Sequence, residues 1–263
     1  MDEVRILPDV LDVDIHQSGE KEELNSDGDC IFIETLIILC RGKKEFFWDV
    51  SPQRQGRIIL SEVRPKVIPT DQLLPYFSEN SSLSVCTDSI AEKHYIKGPG
   101  AINYTPKATE VYGIRDLMLQ EAQICEVLRS NSHPNIAQYH GCVRSGNWIV
   151  GLCFTHYNTI LREYLVNDSA SPLHRGKCFE RIKAGIKHLH TLDLVHTDLT
   201  LDNIMIDDED NPRIIDFDAS RKRGMKLGIK YGDIEESQVT AKFKTDEIAL
   251  VRICKELGID TRQ

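Results

Sequence analysis

Apolar positions divide this chain into strand-like and helix-like stretches. Between Cys30 and Val50 they predict a hairpin. Ile31, Phe32, Ile33, Leu36, Ile37, Ile38 and Leu39 form one apolar strand, Arg41-Gly42-Lys43-Lys44 a turn, and Phe46, Phe47, Trp48 and Val50 the return. Arg57 to Val63 offers a third strand, after which Pro65, Pro69 and Pro75 break regular structure. Residues 78–89 are rich in Ser and are expected at the surface. His94-Tyr95-Ile96-Lys97 reads as a short strand stopped by Gly98-Pro99-Gly100. The period then changes. Ile114, Leu117, Ile124 and Leu128 recur at three- and four-residue steps, predicting a helix from Ile114 to Arg129. Glu121 falls inside that stripe, where a carboxylate needs a cationic partner.

Ser132-His133-Pro134-Asn135-Ile136 closes the helix, and strands are predicted near Ala137–Val143 and Trp148–Phe154. Leu161 to Val166 suits a short helix. Lys177 to His190 suits a longer one, with Phe179, Ile182, Ile186 and Leu189 on one face. A hairpin follows at Ile204–Ile206 and Arg213–Phe217, then a loop to Lys244 and a last helix from Thr245 to Leu257. His188 and His190 read as surface or packing residues.

Composition narrows the function classes. The 263 residues suffice for one good-sized domain, or one domain with an extension. A net charge of −9 argues against broad electrostatic binding to nucleic acid or to an anionic membrane. The local exception is Arg221-Lys222-Arg223 with Lys226 and Lys230. It reads as a solvated loop, the alternative being a contact for an acidic substrate or nucleotide phosphate. The eight cysteines form no CxxC pair and no zinc-like spacing, and Cys125, Cys153 and Cys254 lie in apolar runs as free thiols. With no secretory signal visible, an intracellular setting, cytoplasmic or nuclear, is expected. The most apolar run, Cys30 to Cys40, is too short to span a bilayer. Residues 1–28 are acidic and poor in core material, so a flexible tail with room for one short strand is expected.

The chemistry concentrates in two segments. His196-Thr197-Asp198-Leu199-Thr200-Leu201-Asp202-Asn203 sets a carboxylate and an amide on a short loop, and Ile214-Ile215-Asp216-Phe217-Asp218 adds a carboxylate after an apolar strand. Oxygen ligands for a divalent cation, beside a group that orients an attacking hydroxyl, are what phosphoryl transfer needs.

The first segment matches H-x-D-x-x-x-x-N and the second the Asp-Phe of D-F-G, and the chain here resembles the protein-kinase superfamily. The resemblance runs from about residue 90 to 258. It includes Ile96-Lys97, Leu119-Gln120-Glu121-Ala122, His133-Pro134-Asn135-Ile136, Leu189 to His196, and Asp246. Within the superfamily it is most similar to short, divergent kinase-like proteins of filamentous fungi, which share the Gln-Glu-Ala helix, a Gly-Cys pair like Gly141-Cys142, and Ile-Ile-Asp-Phe-Asp. The resemblance implies an α+β, two-lobed kinase-like fold with a divergent small lobe and a C-terminally shortened large lobe. Residues 1–28 would be the tail, 29–89 a β-rich extension or the start of the small lobe, and 90–258 the kinase-like domain. It implies ATP and Mg²⁺ as cofactors. Asp198 would accept or orient the substrate hydroxyl. Asn203 and Asp216 would hold Mg²⁺, and Lys97 would bind phosphate and pair with Glu121. His196 would be a packing residue, and Phe217 would pack beneath the Glu121 helix. The implied partner is a protein substrate with a Ser or Thr hydroxyl, with no nucleic acid and no membrane; the oligomeric state is left open.

The departures from the pattern are specific. No G-x-G-x-x-G precedes Lys97, and Tyr95 stands where kinases usually carry Ala. Thr197 replaces the Arg of H-R-D, which weighs against control by loop phosphorylation, and Thr200 replaces a catalytic-loop Lys. Asp218 replaces the Gly of D-F-G, no A-P-E lies between Asp218 and Asp246, and Lys93 and Lys107 compete with Lys97. Three readings stay open: a minimal Ser/Thr protein kinase, a pseudokinase acting as a binding scaffold, and a small-molecule phosphotransferase of the aminoglycoside or choline type. The helix and turn motifs favour protein-kinase ancestry, and the joint presence of Asp198, Asn203 and Asp216 favours catalysis. Residues 30–63 either complete the small lobe's sheet or form a separate module; their apolar density favours packing on the lobe.

Overall fold

The computed structural model describes residues 14–25, 28–104, 113–166, 174–227 and 240–259. The chain divides into two compact units. The first takes Met1–Ser81, Gly98–Met118 and Arg144–Gly151, and the second takes Ser82–Lys97, Leu119–Val143 and Leu152–Gln263.

In the first unit four antiparallel strands lie side by side in chain order: β1 (Asp14–Leu24), β2 (Cys30–Arg41), β3 (Glu45–Ser51) and β4 (Lys66–Ile68). The predicted hairpin is β2–β3, in register from Thr35 opposite Ser51 to Arg41 opposite Glu45. Its turn needs a left-handed residue, and Gly42 supplies one at φ 60° without a Cβ penalty. Ile37, Leu39, Phe47 and Val63 make a buried cluster with Ile58 against it. A helix of four residues, α1 (Thr70–Leu73), follows β4.

Two expectations change here. Residues 57–63 are not a strand: turns of 3-10 helix at Gln55–Arg57 and Leu60–Glu62 replace it. Ile58 and Val63 are used as plugs over the β2–β3 face, which a flat ladder would not allow. The ladder position falls instead to Lys66–Ile68, between Pro65 and Pro69. The expected tail is also corrected over part of its length. Asp14–Leu24 is an eleven-residue strand paired along β2, from Asp14 opposite Cys40 to Leu24 opposite Cys30. Its acidic residues have a local use, since Glu20 and Glu22 accept from Arg54. Residues 1–13 and 26–27 lie outside the described residues. Among the described residues, β1–β4 pair only with one another.

The second unit holds the helical part. After α2 (Asp88–Ala91), β5 (Tyr95–Lys97) pairs antiparallel with β7 (Trp148–Phe154), Lys97 facing Leu152. β6 (Tyr139–Ser145) completes that sheet in the order β5-β7-β6. α3 (Ile114–Ser130) precedes β6, and Ala122, Ile124, Cys125 and Leu128 are buried along one face together with Glu121. β8 (Thr159–Ile160), α4 (Leu161–Val166) and α5 (Arg175–Thr191) follow. Then come β9 (Leu194–Val195), β10 (Ile204–Ile206), β11 (Pro212–Ile214), β12 (Arg221–Lys222) and α6 (Phe243–Glu256). β10 is flanked by β11 and β8, and β12 pairs with β9. Gly185 lets α5 approach β11 closely: a Cβ there would stand 2.7 Å from Ile214 Cδ1.

The Ser-rich stretch is mostly exposed, as its composition suggests, but it is anchored. Leu83 and Cys86 are buried, and Val85 bridges Cys142 of β6. Gly141 makes this possible. At φ 126° any Cβ would come within 2.8 Å of Cys86 N.

His133 ties the turn after α3 to its own protonation. Its Nδ1 accepts from Asn135 N–H at 3.1 Å, and its ring stacks on His188. Burial first, then the neighbouring His188 and Arg213, hold its pKa below the ordinary 6.5. The folded state therefore takes up this proton less readily than the unfolded chain. The contribution is complete above the ordinary His value and is lost as pH falls below it. The melting temperature is expected to drop between about pH 7.5 and about pH 5.5, and to drop less in His133→Gln. Equal drops in the two proteins would remove His133 as the cause.

Candidate active site

Lys97, at the end of β5, meets Glu121 of α3. Its Nζ lies 2.7 Å from both Glu121 oxygens and 2.8 Å from Asp216 Oδ1. A quarter of the Lys97 side chain is exposed and Glu121 is almost fully buried. Burial works to remove the Lys97 proton. The Glu121, Asp216 and Asp218 carboxylates overcome it and hold the ammonium well above its usual range. Burial pushes the Glu121 carboxyl upward, against the pull of Lys97. The ion-paired form is the one the geometry fits, because both Glu121 oxygens accept from Lys97 and Oε1 also accepts from Phe217 N–H at 3.1 Å. The stray carboxylate in the helical stripe thus has its cation.

Asn203 and Asp198 form the second pair. Asn203 Nδ2 donates to Asp198 O at 2.7 Å and to Asp198 Oδ2 at 3.2 Å. That assignment leaves the amide oxygen of Asn203 as its acceptor atom. The two pairs are joined through Ile215. Its N–H donates to Asn203 O at 3.0 Å, and its carbonyl accepts from His196 Nε2 at 3.0 Å. The next residue is Asp216. Amide and carboxylate oxygens are the donors a hard cation such as Mg²⁺ takes, so this set fits the metal the sequence implies. Among the described residues no three His, Cys, Asp or Glu side chains cluster as a metal site, so an ion here would draw on the Asn203 amide oxygen as well as carboxylates.

Two residues that sequence reasoning undervalued support the loop. Asp246, 1% exposed on α6, accepts from His196 N–H and Thr197 N–H, each at 3.0 Å. His190, expected only to pack or lie at the surface, reaches Asp246 Oδ2 at 2.9 Å while its ring stacks on Phe243. His196 does pack on Phe217, as expected, and also holds Ile215. Nothing in the spacing of His190 and Asp246, 56 residues apart, announces their pairing. Thr197 and Asp216 both sit at positive φ, 67° and 63°. Strain of this kind persists where the surroundings over-determine it, and it gathers at functional sites.

An ion-paired Lys–Glu–Asp set beside an Asp–Asn loop, on a mixed α and β framework, defines a kinase-like phosphotransferase fold. The family model described as "Protein kinase domain" matches residues 99–252, which include Glu121, Asp198, Asn203 and Asp216 and begin two residues after Lys97. The chain belongs to the protein kinase family. Relatives include a probable serine/threonine-protein kinase samkC of Dictyostelium discoideum, 29% identical over 98 residues, 36% of this chain and 11% of that protein. The sensor for unfolded proteins in the ER ire1 of Schizosaccharomyces pombe is 25% identical over 161 residues, 55% of this chain and 15% of that protein. A serine/threonine-protein kinase US3 homolog of equine herpesvirus 1 is 30% identical over 97 residues, 36% of this chain and 25% of that protein. The chain thus spans between about a tenth and a quarter of the length of these relatives. Among the described residues no helix is long and apolar enough to cross a membrane.

Proposed function

We propose that this chain is an ATP- and Mg²⁺-dependent phosphotransferase, acting as a minimal protein kinase on Ser or Thr hydroxyls. The observation that carries the reading is Lys97 Nζ held at once by Glu121 and Asp216, with Asn203 locked to Asp198 beside it. Lys97 would hold nucleotide phosphate, oriented by Glu121. Asn203 and Asp216 would hold Mg²⁺, which when bound neutralises charge on the phosphate oxygens. Asp198 would accept the hydroxyl's proton or aim its lone pair. The names of the relatives support Ser/Thr as the acceptor class. Eight free thiols support a reducing, intracellular setting.

Melting temperature with millimolar ATP, with and without Mg²⁺, tests the site, since a ligand of the folded state raises it as ln(1 + [L]/Kd). A Mg²⁺-dependent rise is expected. No rise would favour the pseudokinase alternative, a scaffold acting through a partner. Radiolabelled transfer from ATP to a mixed Ser/Thr peptide pool then tests the acceptor. Label appearing only on aminoglycosides or choline would transfer the assignment to a small-molecule kinase.

A further inference from the structure

Thr197 occupies a backbone conformation that its own side chain resists. A β-branched residue at φ 67° is a genuine outlier, and Gly, Asn or Asp would sit there with less strain. The side chain nevertheless has a use for its hydroxyl. Oγ1 donates to Ala219 O at 2.7 Å, three residues past Asp216. The residue's own N–H is held by Asp246 Oδ1. Ser220 returns the link, its Oγ donating to His196 O at 3.3 Å, so two hydroxyls cross between the 196–197 loop and the 219–220 turn. From outside, Gln120 Nε2 donates to Ser220 O at 2.8 Å, and Arg221 Nη1 donates to Asp218 O and Ser220 O.

We propose that Thr197 is a positioning residue for phosphoryl transfer: its hydroxyl fixes the Ala219 carbonyl and so holds the Asp216-Phe217-Asp218 turn in the shape that presents Asp216 to Lys97. The catalytic consequence rests on the phosphotransferase reading; the clamp itself does not. Asp216 is also at positive φ, so the turn has a strained residue to relax if its far end is released. The strain at Thr197 is tolerated because a glycine would fit the backbone but carry no hydroxyl, and a valine would carry the shape but no donor.

Thr197→Val removes the donor and keeps the volume, and Thr197→Ser keeps the donor. Thr197→Gly removes the donor while relaxing the backbone, so it reports even if the valine variant folds poorly. Amide hydrogen exchange of Phe217 to Lys222 is read in nucleotide-free protein. Exchange about 10-fold faster in Val and Gly, with Ser within about 2-fold of wild type, is expected. Turnover should fall by about 10-fold or more in Val with rescue in Ser. Equal protection in wild type, Val and Gly overturns the proposal, as does equal loosening in Ser. Loosened exchange with unchanged turnover in Val overturns the positioning role. If wild type itself shows neither Mg²⁺-dependent ATP stabilisation nor transfer, the phosphotransferase reading fails, and the exchange arm still judges the clamp.

Discussion

Asp216→Asn is expected to abolish the Mg²⁺-dependent part of ATP stabilisation and to lower phosphoryl transfer by on the order of 10²–10³-fold. The substitution keeps the shape of the side chain and removes its charge. Asp216 serves two neighbours at once, accepting from Lys97 at 2.8 Å and standing one residue beyond the Ile215 link to Asn203. An amide is a far weaker ligand for a hard cation than a carboxylate. Lys97 keeps both Glu121 contacts, so the unliganded protein should melt within a few degrees of wild type. Asp198→Asn should separate the roles. It should retain the Mg²⁺–ATP shift and lose turnover by about 10²–10⁴-fold, as the loss of a general base does. A full Mg²⁺-dependent shift in Asp216→Asn would remove that residue from the metal site.

Asp246→Ala is expected to be strongly destabilising. The carboxylate is buried and accepts from two backbone N–H groups and from His190. Deleting it strands the buried donors of His196 and Thr197, each costing about 1–3 kcal/mol, so a total on the order of 3–5 kcal/mol follows. For a chain of this size that is about 10 °C in melting temperature. Because Thr197 needs its N–H held to stay at positive φ, the loop should loosen with the fold. A melting temperature within about 2 °C of wild type would show that water or a neighbour replaces the carboxylate without loss.

The core of this outcome was legible because its signals are local. The helix carrying Glu121, the two strands after it and the 204–214 hairpin all follow from apolar period, and the site segments from carboxylate and amide spacing. The placement of Glu121 inside an apolar stripe predicted a cation, and Lys97 is there. What the sequence hid depends on long-range pairing. Arg57–Val63 has strand composition, yet Ile58 and Val63 are drawn side-on into the β2–β3 cluster. Asp14–Leu24 reads as a polar tail because none of its residues is buried, and its strand form rests on its pairing with β2. Ser84 to Cys86 looked like surface, and its docking on β6 depends on the missing side chain of Gly141. Thr197 looked like the loss of an arginine; its bond to Ala219, 22 residues away, has no signature in spacing.

The free edge of the first unit's sheet has a consequence for how the protein behaves in company. Among the described strands β1 has a partner on one side only. Gln55 Nε2 donates to the Ser18 carbonyl at 2.7 Å, and the part of such an edge that stays open is a template on which another chain can build. Here the run Glu20-Lys21-Glu22-Glu23 lines it with charge of mostly one sign, and Gly19 weakens its middle. Arg54 pairs with Glu20 and Glu22, and Lys21 with Glu23, so a chain adding to this edge would have to fit around these ion pairs. The polar composition that disguises this strand as a tail is thus also what puts charge along an edge that another chain could use.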